Sequence, residues 1–127
     1  MIISTPVSLG ELVDKISILH IKNINIKDKE KLILIREELD LLNKTLHDHI
    51  NIEDIQKHLD LLIEINLKLW VIEDDIRDCE RNKNFDQKFI DLARSVYFTN
   101  DKRSKVKLDI NKKFGSKIIE VKSYESY

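Results

Sequence analysis

Three polar side chains, Asn66, Glu73 and Glu80, recur every seven residues along a stretch whose other seam positions are Ile52, Ile55, Leu59, Leu62, Leu69 and Ile76. A carboxylate on such a stripe must meet a cation, a hydrogen-bond donor or water, because stranding it costs several kcal/mol. A second stripe, Phe85, Phe89, Leu92, Val96, Asn100, Arg103, Lys107, Ile110 and Phe114, also turns polar in its middle. If the two segments are antiparallel helices joined near residue 83, Glu73 stands level with Ala93 and Arg94. Asn66 then stands level with Asn100, with Arg103 one turn further along. Upstream, Lys15 and Lys22, or His20 from the adjoining face, can be added to this belt. Asn66, Glu73, Arg94, Asn100, Arg103, Lys107 and Lys15 would thus project into a bundle interior, a usual place for ligand sites. The chemistry suits a small anionic metabolite. Guanidinium groups grip carboxylate or phosphate bidentately, lysine adds a point charge, and Glu73 can serve as acceptor or catalytic base.

A structural reading stands beside this one. Buried Asn residues fix helix register and oligomeric state, and long Arg and Lys side chains snorkel from half-buried positions. Trp70 and Tyr97 read as core or interface aromatics in preference to stacking platforms. A third reading, Mg²⁺-dependent nucleotide hydrolysis, starts from the acidic run Glu73, Asp74, Asp75, Asp78 and Glu80, but the paired E-x-x-E and E-x-x-D spacing of helical nucleotide pyrophosphatases is missing. His47, His49 and His58 have metal-ligand character, yet His47 and His49 point differently on a helix, so no metal site is expected. Glu37, Glu38 and Asp40 read as a solvated face. From Asp101 to Lys122 there are eight Lys/Arg against three acids, without the interleaved aromatics of a nucleic-acid surface. No cofactor motif is present.

The elements that must position these residues are helices. Gly occurs only at 10 and 115 and Pro only at 6, so nothing between them forces the turns a sheet requires. Ser8 and Glu11 form a capping box for a first helix with Leu9, Leu12, Val13, Ile16 and Leu19 on its apolar face. Asp28 caps a second, with a seam of Leu32, Ile35, Leu39, Leu42 and Leu46. A third runs from an Asn51 cap to about Asn82; a fourth starts near Asn84 and reaches Phe114, where Gly115 stops it, unless FTND at 98–101 interrupts. Ile118, Ile119, Val121 and Tyr124 of the tail are apolar enough to pack on the bundle. The expected fold is a single all-α domain, an antiparallel bundle of about four helices with two long C-terminal ones. Those two, about 45 Å each, exceed what a compact monomer of this length holds, which predicts a homodimer. A net charge of −1 gives no bulk field for nucleic acid or membrane. Cys79 is the lone cysteine, and neither a signal peptide nor an 18-residue apolar span is seen, which suits a cytoplasmic protein.

The stretches VSLGELVDKISILHIK, LWVIEDDIRDCE and FDQKFIDLARSVYFTNDKRSKVKLDINKKFGSKIIEVKSY together resemble a family of short bacterial and phage domains of unknown function. The resemblance spans essentially the whole chain. It implies a loose link with surface-polysaccharide biosynthesis, since such domains are sometimes fused to glycosyltransferases or tetratricopeptide proteins, and it implies no particular reaction. The family pattern matches Lys15, Asn66, Trp70, Glu73, Asp74, Arg77, Arg94, Tyr97, Asn100, Arg103, Lys107, Asn111, Ser116, Glu120, Lys122 and Tyr124, among others. In architecture and residue types the chain is also similar to helical chorismate mutases, all-α dimers that grip a dicarboxylate with Arg, Lys, Glu and Asn or Gln. It lacks the Arg-rich start of their first helix, so this likeness is one of fold class.

Overall fold

The computed structural model describes residues 1–127 as four helices, α1 (Leu9–Asn25), α2 (Lys29–His47), α3 (Ile52–Arg81) and α4 (Gln87–Lys113). Their starts follow capping chemistry. Ser8 Oγ accepts from the Glu11 amide at 3.1 Å, and Asp28 Oδ1 from the Lys31 amide at 3.0 Å. Asn51 occupies the cap position of α3 with extended backbone but makes no side-chain capping bond. Glu53 and Asp54 in the first turn favour that start through the helix dipole.

One boundary expectation changes and one open alternative is resolved. α4 begins at Gln87 and not near Asn84, because Lys83 turns left-handed at φ 53° and Asp86 supplies the cap to Lys88. FTND does not interrupt α4: nothing in it forbids helical backbone, and the helix runs through to Phe114, where Gly115 at φ 69° ends it.

The core gathers at one end of the molecule. Leu12, Val13, Ile16 and Leu19 of α1 meet Ile35, Leu39 and Leu46 of α2, Ile55, Leu59, Leu62 and Ile65 of α3, and Val106 and Ile110 of α4. α1 is the hub, packed against each of the other three helices. Between Asn66 on α3 and Val106 on α4, only Cys79 is buried. The far halves of α3 and α4 therefore form a two-helix arm that packs on itself and leaves Val71, Phe85, Ile90 and Tyr97 exposed. No helix is long and apolar enough to cross a membrane.

The tail departs from its expected packing. Ile118 and Ile119 remain nearly half exposed, and Val121 and Tyr124 are 84% and 82% exposed. The segment has no helical or strand periodicity with which to present one face to the bundle, and it is fastened by ion pairs and by the Tyr127 ring on Tyr97 and Phe98.

Candidate functional site

The site grows from a stripe of α1 adjacent to its apolar one. Gly10, Asp14, Ser17 and Ile21, spaced by four, three and four, are all buried. Asp14 is fully buried, and its carboxylate is the centre of the polar interior. Its Oδ1 accepts from Asn66 Nδ2 of α3 and Arg103 Nε of α4, both at 2.9 Å, and its Oδ2 accepts from Arg103 Nη2 at 2.5 Å. Asn66 Nδ2 also donates to Ser17 Oγ at 2.7 Å, and Ser17 Oγ donates to the Asp14 carbonyl at 2.6 Å. Lys107 Nζ lies 4.0 Å from Asp14 Oδ2 and bonds Glu11 at 2.7 Å and Glu120 at 2.8 Å. One buried carboxylate thereby ties three helices together. The hydrogen bonds to Asp14 raise the pKa of Arg103. Burial pulls Lys107 down, but its hydrogen bonds to Glu11 and Glu120 carry it above the ordinary lysine value.

This network is not sealed. Asn66 and Arg103 border an open hollow of about 480 Å³, walled by Ile18, Ile21, Leu69 and Trp70 and edged by Glu73, Asp74, Arg77 and Asn100. The Asp14 carboxylate demands a donor, so Asn66 must turn Nδ2 toward it, leaving Asn66 Oδ1 an uncommitted acceptor. Arg103 likewise spends Nε and Nη2 on Asp14 and keeps Nη1 free of protein partners. Both groups are held by one edge and available at the other. Arg77 bonds Glu73 at 3.4 Å, one turn along α3, and both are well exposed. A second hollow of about 380 Å³ adjoins the first at Asn100 and Arg103 and is lined also by Glu11, Asp101, Ser104, Lys107, Lys122 and Tyr124.

Of the residues singled out from the sequence, Asn66, Glu73, Asn100 and Arg103 share the larger hollow, and Lys107 lies on the smaller. Lys15 does not join them. It points outward, 4.0 Å from Glu38 of α2. Arg94 also stays apart, exposed and seated over the Phe98 ring at 5.6 Å, so the cation that meets Glu73 is Arg77. Trp70 is a half-buried wall of the hollow, and Tyr97 is an exposed aromatic against Phe98 and Tyr127.

Sequence reasoning missed Asp14. The available signal was its place between the small residues Gly10 and Ser17 on a 4-3-4 stripe, where an acid has no solvent to face. No three His, Cys, Asp or Glu side chains converge as a metal site requires. The acids from Glu73 to Glu80 spread around α3; His49 bonds the Thr45 carbonyl, and His58 packs against the edge of Phe114.

A model of a protein family matches residues 3–127, from ahead of α1 to the end of the tail. The chain belongs to the Family of unknown function (DUF6165). The DUF6165 match includes Asp14 and every residue of both hollows. No curated protein and no solved structure matches the chain, so the likeness to helical chorismate mutases and the tie to glycosyltransferases gain no support there.

Proposed function

We propose that the Trp70 hollow of this DUF6165 protein binds a small anionic metabolite. The observation that carries the reading is the pair of half-committed groups, Asn66 Oδ1 and Arg103 Nη1, fixed by Asp14 at the edge of an open hollow of small-molecule size. Groups locked by supporting hydrogen bonds bind without first losing side-chain freedom. The anionic group of the ligand pairs with Arg77 and the free edge of Arg103, and its apolar part lies against Trp70, Ile18 and Leu69. Glu73 is the carboxylate that takes a ligand hydroxyl or proton. Trp70 is the chain's only tryptophan, so its fluorescence reports on the hollow directly. Titrating a panel of small carboxylates and phosphorylated metabolites should identify members that shift Trp70 emission and raise the melting temperature. Arg77→Ala, at an exposed position, should keep the unliganded melting temperature and weaken binding about tenfold, the effect of losing one charge-assisted contact. A panel with no active member, or an Arg77→Ala variant that binds as the parent does, removes the proposal.

A second reading, in which the buried polar residues are structural, is supported by the Asp14 pairing, which joins α1, α3 and α4 within one chain and makes no contact that would set dimer register. Homodimerisation, also part of our proposal, is supported by the arm: two helices with one buried side chain between them and exposed Val71, Phe85, Ile90 and Tyr97. Sedimentation equilibrium should give twice the chain mass at micromolar concentration, and a monomer mass there refutes it.

A further inference from the structure

Beyond Ser116, no backbone amide or carbonyl of the tail bonds to a helix backbone. Its attachment is made by side chains. Glu120 Oε2 accepts from Lys107 Nζ at 2.8 Å, Glu120 Oε1 from Lys122 Nζ at 2.5 Å, and the Tyr127 hydroxyl donates to Asp101 while its ring rests on Tyr97 and Phe98. Lys107 is only 7% exposed, and a buried ammonium needs anionic company. Its two close carboxylates differ in kind. Glu11 sits in the first turn of α1 and is fixed by the fold, whereas Glu120 comes from a segment without regular structure. The adjoining hollow presents Lys107 and Lys122 with Glu11 and Asp101, the hydroxyls of Ser104 and Tyr124, and Arg103, whose Nε and Nη2 are already paired with Asp14.

We propose that Lys107 and Lys122 form a phosphate seat that the Glu120 side chain fills in the free chain, so that this carboxylate is an internal competitor displaced by phosphate while Lys122 stays in place. The hydrogen bonds from Lys107 and then Lys122 hold the Glu120 carboxyl down to about 2, which keeps the competitor ionised throughout the neutral range. Displacement needs only rotation of the Glu120 side chain, which is 34% exposed. A phosphate brings more negative charge and more acceptor oxygens than the carboxylate it replaces. The seat is separate from the Trp70 hollow and stands or falls independently of the metabolite reading.

Titration of the ¹⁵N-labelled full chain with inorganic phosphate, at constant ionic strength so that screening does not change, tests it. Saturation should shift the amide signals around Glu120 and Lys122, while amides of the apolar core hold. Glu120→Gln should bind phosphate about fivefold more tightly, the equivalent of roughly 1 kcal/mol for a partly exposed ion pair removed from competition. Lys122→Ala, at an exposed position, should bind more weakly than the parent. Arg77→Ala should leave the phosphate response unchanged, which separates this seat from the metabolite reading. Glycerol 3-phosphate run in parallel identifies the source: tighter binding than inorganic phosphate assigns the seat to a phosphorylated metabolite, and equal binding assigns it to the free ion. No binding, equal affinity of the parent and Glu120→Gln, or signals around Glu120 that do not move at saturation overturns the proposal.

Discussion

Replacing Asp14 by alanine should lower the stability of the fold by about 3–5 kcal/mol, the loss expected when one member of a buried ion pair is removed. Domains of this size are stable by only about 5–15 kcal/mol, so much of the margin goes with one carboxylate. The loss has identifiable parts. Arg103 is left with Nε and Nη2 unpaired, Asn66 Nδ2 keeps only Ser17, and Lys107 loses its third, more distant anion. Arg103→Met should cost a comparable amount, because it strands a fully buried carboxylate. That outcome differs from what the register-fixing reading leads one to expect of Arg103→Met, a fold left intact or more stable. The double replacement Asp14→Leu with Arg103→Met separates the roles. Removing both charges together is often neutral or stabilising by about 1–4 kcal/mol. Urea melts of the parent, Asp14→Leu, Arg103→Met and the double variant should therefore show strong coupling, with the double variant far more stable than the sum of the single losses predicts. A folded double variant that binds no ligand gives Arg103 a recognition role beyond its structural one. If Asp14→Ala melts within about 1 kcal/mol of the parent, the network is not the tie between helices that its geometry describes.

What the sequence discloses and what it hides follow from how each feature is encoded. The seams of α2 and α3 are carried by large aliphatic residues at 3-4 spacing, and burial follows that spacing closely: Ile35, Leu39, Leu46, Ile55, Leu59 and Leu62 are all buried. The shared level of Asn66, Asn100 and Arg103 was legible because antiparallel helices joined by a short turn keep a linear register. Arg94 escaped that register because a long side chain also has the choice of lying along its own helix over Phe98. Lys15 was ambiguous, since residues beside an apolar stripe face either the bundle or solvent, and the attraction of Glu38 belongs to the second side. Asp14 was hidden by its neighbours: Leu12, Val13 and Ile16 give α1 an obvious apolar face, and the stripe of small and polar residues beside it carries no hydrophobic signal. Its meaning exists only once α3 and α4 are laid across it. The tail contacts are equally unreadable, because a segment without periodicity leaves no pattern by which Glu120 could be matched to Lys107.

Gly10→Ala should destabilise the protein by about 2 kcal/mol, although alanine is the better helix former. In an exposed helix the exchange gains about 0.8–1.0 kcal/mol. Here a Cβ on residue 10 would stand 2.5 Å from the Lys107 carbonyl oxygen, 3.1 Å from its carbonyl carbon and 3.0 Å from Asn111 Oδ1. The first two atoms are backbone of α4 and cannot rotate away, so α1 and α4 must separate. Overpacking of this kind costs about 1–3 kcal/mol. Separation also stretches the 2.7 Å bond from the Gly10 amide to Asn111 Oδ1, a buried contact contributing about 1 kcal/mol. The two losses together outweigh the helical gain. Gly115→Ala is the informative contrast: nothing lies within 4 Å of a Cβ there, and only its left-handed φ of 69° opposes the change, at about 1 kcal/mol. Function should separate the two variants further. Moving α1 away from α4 moves Asp14 away from Arg103 and Glu11 away from Lys107, so Gly10→Ala should disturb both hollows even at temperatures where it remains folded. Gly115→Ala lies beyond α4 and should leave the Trp70 hollow unaltered. Paired urea melts and Trp70 emission spectra check both halves. A Gly10→Ala protein at least as stable as the parent would show that α1 and α4 do not approach as closely as the site requires.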